Sequence, residues 1–379
     1  MDTGHPHLEP PYPVLLRGPG LRRRRRTAGA GRPRPGAVRA AARPVSDPAP
    51  LFARTLRRVP GIVVGSLHED RPEVTALGSV AGEPDPASLC WEIGSITKVF
   101  TGLLLAEMSL RGEVRLDAPI GGYLPDEAAA RLPGPERQPT LADLATHTSG
   151  LPRLPWALIR SVRRSPDPYS HLTEEQILAC LGPRTRRPRR PRFRYSNFGM
   201  GLLGHLLARA AQQPYPTLVE ERLLRPLGMA ATRAGACGPG SIPVPGFRRG
   251  KPTPPWTFGA LQGAGALRST AGDLLVFAAA CLEPPPGVLG EALTLARRPH
   301  RQGRLPFAAA GLGWMLRTRD RHRRSAGVCW HNGGTYGGSS FLAIDPARRL
   351  AVVALGNSGP GWLGPLDGPS WRLLDALAP

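Results

Sequence analysis

Ser95 and Lys98 stand three residues apart at the head of an apolar run over residues 99–108. If that run is a helix, positions i and i+3 share a face, and the Lys98 amine folds back to hydrogen-bonding distance of the Ser95 hydroxyl. A serine hydroxyl is a poor nucleophile at neutral pH until a neighbour takes its proton, and a lysine kept neutral by burial can take it. Arginine cannot, because it stays protonated. The contrast has weight here, since Lys98 and Lys251 are the only lysines among 50 lysine and arginine residues. Gly94 suits a tight entry into the helix, whose first N–H groups point toward developing negative charge.

Two further stretches carry residues that could serve the same reaction. Tyr195-Ser196-Asn197 opens a helical pattern over residues 202–211. A phenol held near a lysine cation is expected to have a lowered pKa and to shuttle the serine proton. Asn197 is expected to hold Lys98 through its carbonyl while its amide donates to a substrate carbonyl. Taken alone, these residues are also ordinary helix caps. Near the end of the chain, His331-Asn332-Gly333-Gly334 has glycines that let a substrate lie against a strand. The N–H of Gly334 is expected to complete an oxyanion hole with that of Ser95, although a glycine-rich hairpin turn would read the same way. His147 invites a place in a Ser/His/Asp triad; with Lys98 supplying the base, it is expected to be a loop histidine bonded to backbone.

The elements that must position these groups follow from hydrophobic pattern and punctuation. Residues 61–65 and 73–78 read as two strands of a meander with a polar turn between them. Gly112 ends the Lys98 helix, Thr140 is a plausible N-cap for a short helix, and the basic, proline-rich residues 183–194 must be a surface loop. Residues 218–224 read as helical and 234–256 as a long loop. A Ser269-Thr270 cap leads into an apolar helix over 274–281, and residues 341–344 and 350–355 read as alternating strands.

Composition limits the classes. With 379 residues and 41% hydrophobic content the chain is globular and has enough length for one large or two ordinary domains. Residues 1–50, with five consecutive arginines at 22–26, lack an apolar period and are expected to be a disordered Arg/Pro-rich extension. Scattered arginines give the formal net charge of +22, but without aromatic interleaving or a known motif they do not point to specific nucleic-acid binding. Cys90, Cys180, Cys237, Cys281 and Cys329 form an odd count without paired spacing, so the expectation is free thiols, no metal site and a cytoplasmic location. No complete export signal and no membrane-spanning stretch is read in the chain.

In order and spacing, Ser95-Ile96-Thr97-Lys98, Tyr195-Ser196-Asn197 and His331-Asn332-Gly333 resemble the three motifs of the penicillin-recognising serine hydrolases. The chain is most similar to the group of class C beta-lactamases, D-alanyl-D-alanine carboxypeptidases and esterases. The resemblance runs from about residue 55 to near the C-terminus and includes residues 144–152, 227–229 and 265–271. It implies an α/β fold of the α+β type: an antiparallel sheet built from both chain ends and flanked by helices, with a mainly helical region inserted at about 111–255 of a domain over 51–379. It implies an acyl-enzyme at Ser95, proton transfers shared by Lys98 and Tyr195, substrate contacts from Asn197, His331, Gly333 and Gly334, and no cofactor. His331 departs from the pattern, standing where lactamases of this class have lysine. A largely neutral histidine favours carboxylate-bearing substrates less than a lysine cation does.

The leading expectation is a serine hydrolase acting on a small ester, amide or D-amino-acid peptide. The alternatives are a beta-lactamase proper, a catalytically inactive binding protein of the same fold, and an arginine-rich nucleic-acid binder. Oligomeric state is not read from the sequence.

Overall fold

Two apolar runs from opposite ends of the chain, Gly61–His68 and Leu350–Gly356, pair antiparallel with Ile62 opposite Gly356. In the computed structural model, which describes residues 47–159, 164–302, 309–317, 327–359 and 364–377, they belong to an eight-stranded antiparallel sheet. Its spatial order is Arg71–Gly78, Gly61–His68, Leu350–Gly356, Ser339–Asp345, Val328–Gly334, Met315–Arg317, Ala309–Ala310, Arg301–Gln302. The expected meander of residues 61–78 is therefore present, as the hairpin at the sheet's edge. Most of the extension expected over residues 1–50 lies outside the described residues, and residues 49–50 open the short helix Ala49–Phe52.

Both faces of this sheet are covered. On one, Ile62, Val64, Phe341, Val352 and Ala354 pack with Leu373 and Leu374 of the helix Asp367–Ala376. On the other, Val63, Leu67, Leu342, Ile344 and Val353 join Phe100 and Leu104 of the helix Thr97–Leu110 and Leu274 and Phe277 of the helix Ala271–Leu282. Each such side chain removed from water contributes about 1.5 to 3 kcal/mol. This double cover corrects one expectation. Ser339–Asp345 and Leu350–Gly356 are buried at every position and do not alternate between core and solvent, because helices occupy both faces.

A second, four-stranded sheet carries the approach to Ser95. Leu89–Glu92 pairs antiparallel with Leu267–Thr270, which in turn pairs with Arg233–Ala234, and parallel with Ile242–Pro243. The segment read as a long loop over 234–256 thus holds short strands, including the hairpin Gly246–Arg248 with Lys251–Thr253. Thr140 caps Leu141–Ala145 through a reciprocal bond with Asp143, as expected of an N-cap threonine. Among the described residues no helix is long and apolar enough to cross a membrane.

The cysteines overturn the expectation of free thiols. Cys90 and Cys237 form a disulfide across 147 residues of sequence, while Cys180, Cys281 and Cys329 remain free. Sequence spacing concealed it, because the two meet only when Leu89–Glu92 has taken Ile242–Pro243 as its neighbour. The thiol argument for a reducing compartment is withdrawn with it. Alkylation of the denatured, unreduced protein should modify three cysteines, and five after reduction. Replacing Cys237 with serine should cost about 2 to 5 kcal/mol, read as a fall in Tm on the order of 5 °C or more. Five alkylated cysteines without reductant would rule the bridge out.

Candidate active site

The turn Gly94–Ile96 joins the strand Leu89–Glu92 to the helix Thr97–Leu110, so Ser95 sits at the helix mouth and Lys98 in its first turn. Backbone sterics explain Gly94. Its φ is +47°, and a methyl there would stand 2.7 Å from the amide nitrogen of Gly334. The turn is tied on both sides. The Ser340 hydroxyl donates to the Ile93 carbonyl at 2.8 Å, and the Leu267 N–H donates to Thr97 Oγ1 at 3.1 Å.

Lys98 is fully buried. Its Nζ lies 2.8 Å from Ser95 Oγ and donates to the carbonyl oxygen of Ala264 at 2.6 Å. Burial, with the Arg153 cation adding to it, holds the Lys98 amine well below the usual lysine range. The i, i+3 pairing read from the sequence is therefore formed, with a lysine whose neutral state is favoured.

Tyr195 reaches the same serine from another element, its hydroxyl hydrogen-bonded to Ser95. The cap ambiguity resolves residue by residue. Ser196 caps the helix Asn197–Ala210 by accepting from the Gly199 N–H at 2.8 Å, which leaves the flanking Tyr195 and Asn197 side chains for other contacts. The helix starts earlier than residue 202 because of this cap. Two expectations for these flanking residues are corrected. Burial pushes the Tyr195 phenol up to about 12, outweighing its bond to Ser95 and the nearby Arg153, so it is protonated at neutral pH. Asn197 does not hold Lys98: its Nδ2 donates to the Tyr169 hydroxyl at 3.0 Å, its buried Oδ1 has no partner among the described residues, and the Ala264 carbonyl accepts from the lysine instead.

The strand Val328–Gly334 supplies the third wall. A methyl on Gly333 would stand 2.1 Å from the Ile93 carbonyl and 2.9 Å from the Ser95 nitrogen, so the strand backbone lies directly against the serine turn. This brings the N–H groups of Ser95 and Gly334 into one neighbourhood. His331 is buried, and burial together with the Lys98 charge lowers its pKa to about 3. A neutral imidazole with Nδ1 2.6 Å from the Asn332 carbonyl carries its proton there, leaving the buried Nε2 as an acceptor without a partner among the described residues.

His147 is a loop histidine bonded to backbone, as the sequence suggested: its Nδ1 accepts from the Ser196 N–H at 3.1 Å. Its place was underestimated, for its ring lies 4.4 Å from that of Tyr195. Arg153 was missed altogether. Its carbonyl accepts from the N–H groups of Asn197 and Phe198, and its guanidinium lies 5.1 Å from the centre of the Tyr195 ring. Nothing in the stretch Leu151-Pro152-Arg153 signals such a contact in advance. The assembled groups can activate a hydroxyl, carry its proton, and place two backbone donors where an oxyanion would form.

Comparison with known proteins supplies the context. The model of the beta-lactamase family matches residues 49–376. The chain is 27% identical over 291 residues to the D-alanyl-D-alanine-carboxypeptidase/endopeptidase AmpH of Escherichia coli, covering 71% of each protein. It is 26% identical to the esterase EstB of Burkholderia gladioli over 76% of this chain and 82% of that one. A beta-lactamase-like protein of Dictyostelium discoideum is 34% identical, but over only 44% of this chain and 28% of that protein. The fold is similar to a class C beta lactamase from Rhodobacter sphaeroides, with TM-score 0.71 and 24% identity over 87% of this chain and 97% of that one.

The buried lysine makes stability depend on pH with a defined sign. Because the Lys98 pKa is lower in the folded chain than in the unfolded one, the unfolded chain binds the extra proton between the two values, and stability rises with pH across that window up to about 10.4. Denaturant unfolding at a series of pH values should show wild type gaining up to about 1.4 kcal/mol per pH unit relative to Lys98→Met. Parallel pH dependences in the two proteins would mean that Lys98 is protonated where it lies.

Proposed function

The chain belongs to the beta-lactamase family, and from that premise we propose that it is a serine hydrolase working through an acyl-enzyme at Ser95 on a small ester, amide or D-amino-acid peptide. The observation that carries the proposal is the pairing of Ser95 Oγ with a fully buried lysine amine 2.8 Å away.

In this reading Lys98 is the general base and Tyr195 the proton donor, an assignment that the opposite directions of their pKa shifts support. As Ser95 Oγ attacks the carbonyl carbon, its proton passes to Lys98 Nζ. The N–H groups of Ser95 and Gly334 hold the oxyanion, each contributing about 3 kcal/mol to the transition state. Tyr195 protonates the leaving group as the bond to it breaks and recovers a proton from Lys98. Water then releases the acyl group with the same pair acting in reverse. Asn197, whose carbonyl oxygen has no partner among the described residues, accepts from a substrate N–H, and Gly333 lets its strand close against the Ser95 turn.

His331 favours an esterase or peptidase over a beta-lactamase proper. A neutral ring offering Nε2 as acceptor cannot give a carboxylate the cation that lysine gives. Identities of 27%, 26% and 25% to the carboxypeptidase AmpH, the esterase EstB and the Escherichia coli beta-lactamase do not choose among the three activities. The Cys90–Cys237 bridge favours an oxidising compartment over the cytoplasmic location expected from free thiols.

Intact mass after exposure to a broad fluorophosphonate should show one adduct on the wild type and none on Ser95→Ala. No adduct on folded wild type would turn the assignment toward a binding protein of the same fold. Loss of beta-lactam absorbance should be slow, with kcat/KM for penicillin at least about 100-fold below that for an activated aryl ester; rapid loss would instead make the chain a beta-lactamase.

A further inference from the structure

Two apolar side chains lie open to water away from the chemistry at Ser95. Trp156 is 63% exposed and Ile159 58%, the highest values for any large apolar residue among those described. They flank the tight turn Trp156–Leu158, in which the Ile159 N–H donates to the Trp156 carbonyl at 3.1 Å. Positions three apart eclipse in such a turn, so both side chains project on one side while Leu158 between them is buried.

A basic loop runs alongside them. The Cys180 sulfur is hydrogen-bonded to the backbone of Ala157 and Trp156, and residues 183–194 begin three residues later. The loop then returns along the segment that precedes Trp156: a methyl on Gly150 would stand 2.9 Å from Pro188, and the Arg194 N–H donates to the His147 carbonyl at 2.7 Å. Arg187 fixes it, with its N–H on the Arg137 carbonyl and its side chain on the buried Asp143. All seven arginines of the loop are exposed, it contains no acid, and among the described residues only Arg187 of the seven pairs with one. The acids between Trp156 and the loop, Asp167, Glu174 and Glu175, already accept from Thr257, Arg209 and Thr173.

We propose that Trp156, Ile159 and the arginines of residues 183–194 form a docking surface for an anionic phospholipid bilayer. Indole and branched aliphatic side chains enter the boundary between headgroups and acyl chains, while the arginines stay among the phosphates. The strength of such binding combines the apolar area buried with the attraction of cations to a negatively charged leaflet, and this surface offers both. A nucleic acid would engage the arginines and leave the two apolar side chains in water. Arg194 directly precedes Tyr195, so a docked molecule would hold its cleft beside the membrane. The inference is independent of the serine-hydrolase reading.

Co-sedimentation of the full chain with vesicles tests it, using phosphatidylcholine alone and phosphatidylcholine mixed in equal parts with phosphatidylglycerol. Wild type should bind the mixed vesicles about tenfold or more tightly than the neutral ones, and the binding should weaken as salt rises. Changing Trp156 and Ile159 together to serine should lower that affinity about tenfold at unchanged Tm, and so should changing Arg189, Arg190 and Arg192 to glutamine. Failure of wild type to bind the mixed vesicles would overturn the proposal. So would wild-type affinity in both variants, which would move the binding to the arginines at 22–26. Loss confined to one variant would leave either adsorbed cations or an apolar contact, not the combined surface, and would overturn it too, as would binding to duplex DNA by a chain that ignores the vesicles. If the serine pair lowers the Tm, tryptophan emission decides: its blue shift on the mixed vesicles should be present in wild type and reduced in Trp156→Phe, and an undiminished shift would overturn the docking.

Discussion

Everything in the cleft depends on keeping one amine out of water. Lys98 has no exposed surface, and among the described residues two oxygens receive it, the Ser95 hydroxyl and the Ala264 carbonyl. An ammonium so placed would lose several kcal/mol of hydration, more than two neutral oxygens return, which lowers its pKa and favours the neutral amine. The surroundings enforce this from separate parts of the chain. Ala264 ends the turn Gly259–Ala264, which packs on the helix Asn197–Ala210, and the Thr101 hydroxyl one turn along the lysine helix donates to the Gly263 carbonyl at 2.8 Å. The two helices and the turn are thus bound around the amine.

A second set of contacts holds the outer wall. The Glu92 carboxylate, two residues before Gly94, accepts from the Trp256 N–H at 2.7 Å and from the Thr335 hydroxyl at 2.8 Å. Burial pushes its pKa up against these bonds, so the network uses a costly group to join the strand before Ser95 to the turn beyond Gly334. Trp256 then stacks edge-on against Tyr336 and packs near Tyr169, whose hydroxyl anchors Asn197. The amide of Asn197 is in this way fixed from the aromatic side and not from the lysine.

The legible parts of this arrangement were local. Ser95 and Lys98 are separated by less than one helical turn, so their spacing alone set their distance. The strands and capped helices follow from apolar period and from Thr140 and Thr270. What stayed hidden depends on approaches across long sequence separations. Cys90 and Cys237 give no spacing signal, because a parallel pairing of two residues brings them together. The direction of the Tyr195 shift was misjudged for a related reason. A cation nearby lowers a phenol and burial raises it, and the sequence named the cation but could not measure the burial. Arg153 looked like any of the many arginines; only the packing of residues 147–153 against Ser196 and Asn197 distinguishes it.

The same electrostatics suit histidine at position 331. Burial and the Arg153 cation already lower the Lys98 amine. In its buried place the His331 ring, with its pKa lowered to about 3, is neutral and adds no further positive charge to the cleft. It also gives the cleft a defined polarity. His147 accepts at Nδ1 from Ser196 and so bears its proton on Nε2, while His331 bears its proton on Nδ1 and leaves Nε2 bare. With both rings near Tyr195, at 4.4 and 6.0 Å between centres, the site holds one neutral donor and one neutral acceptor.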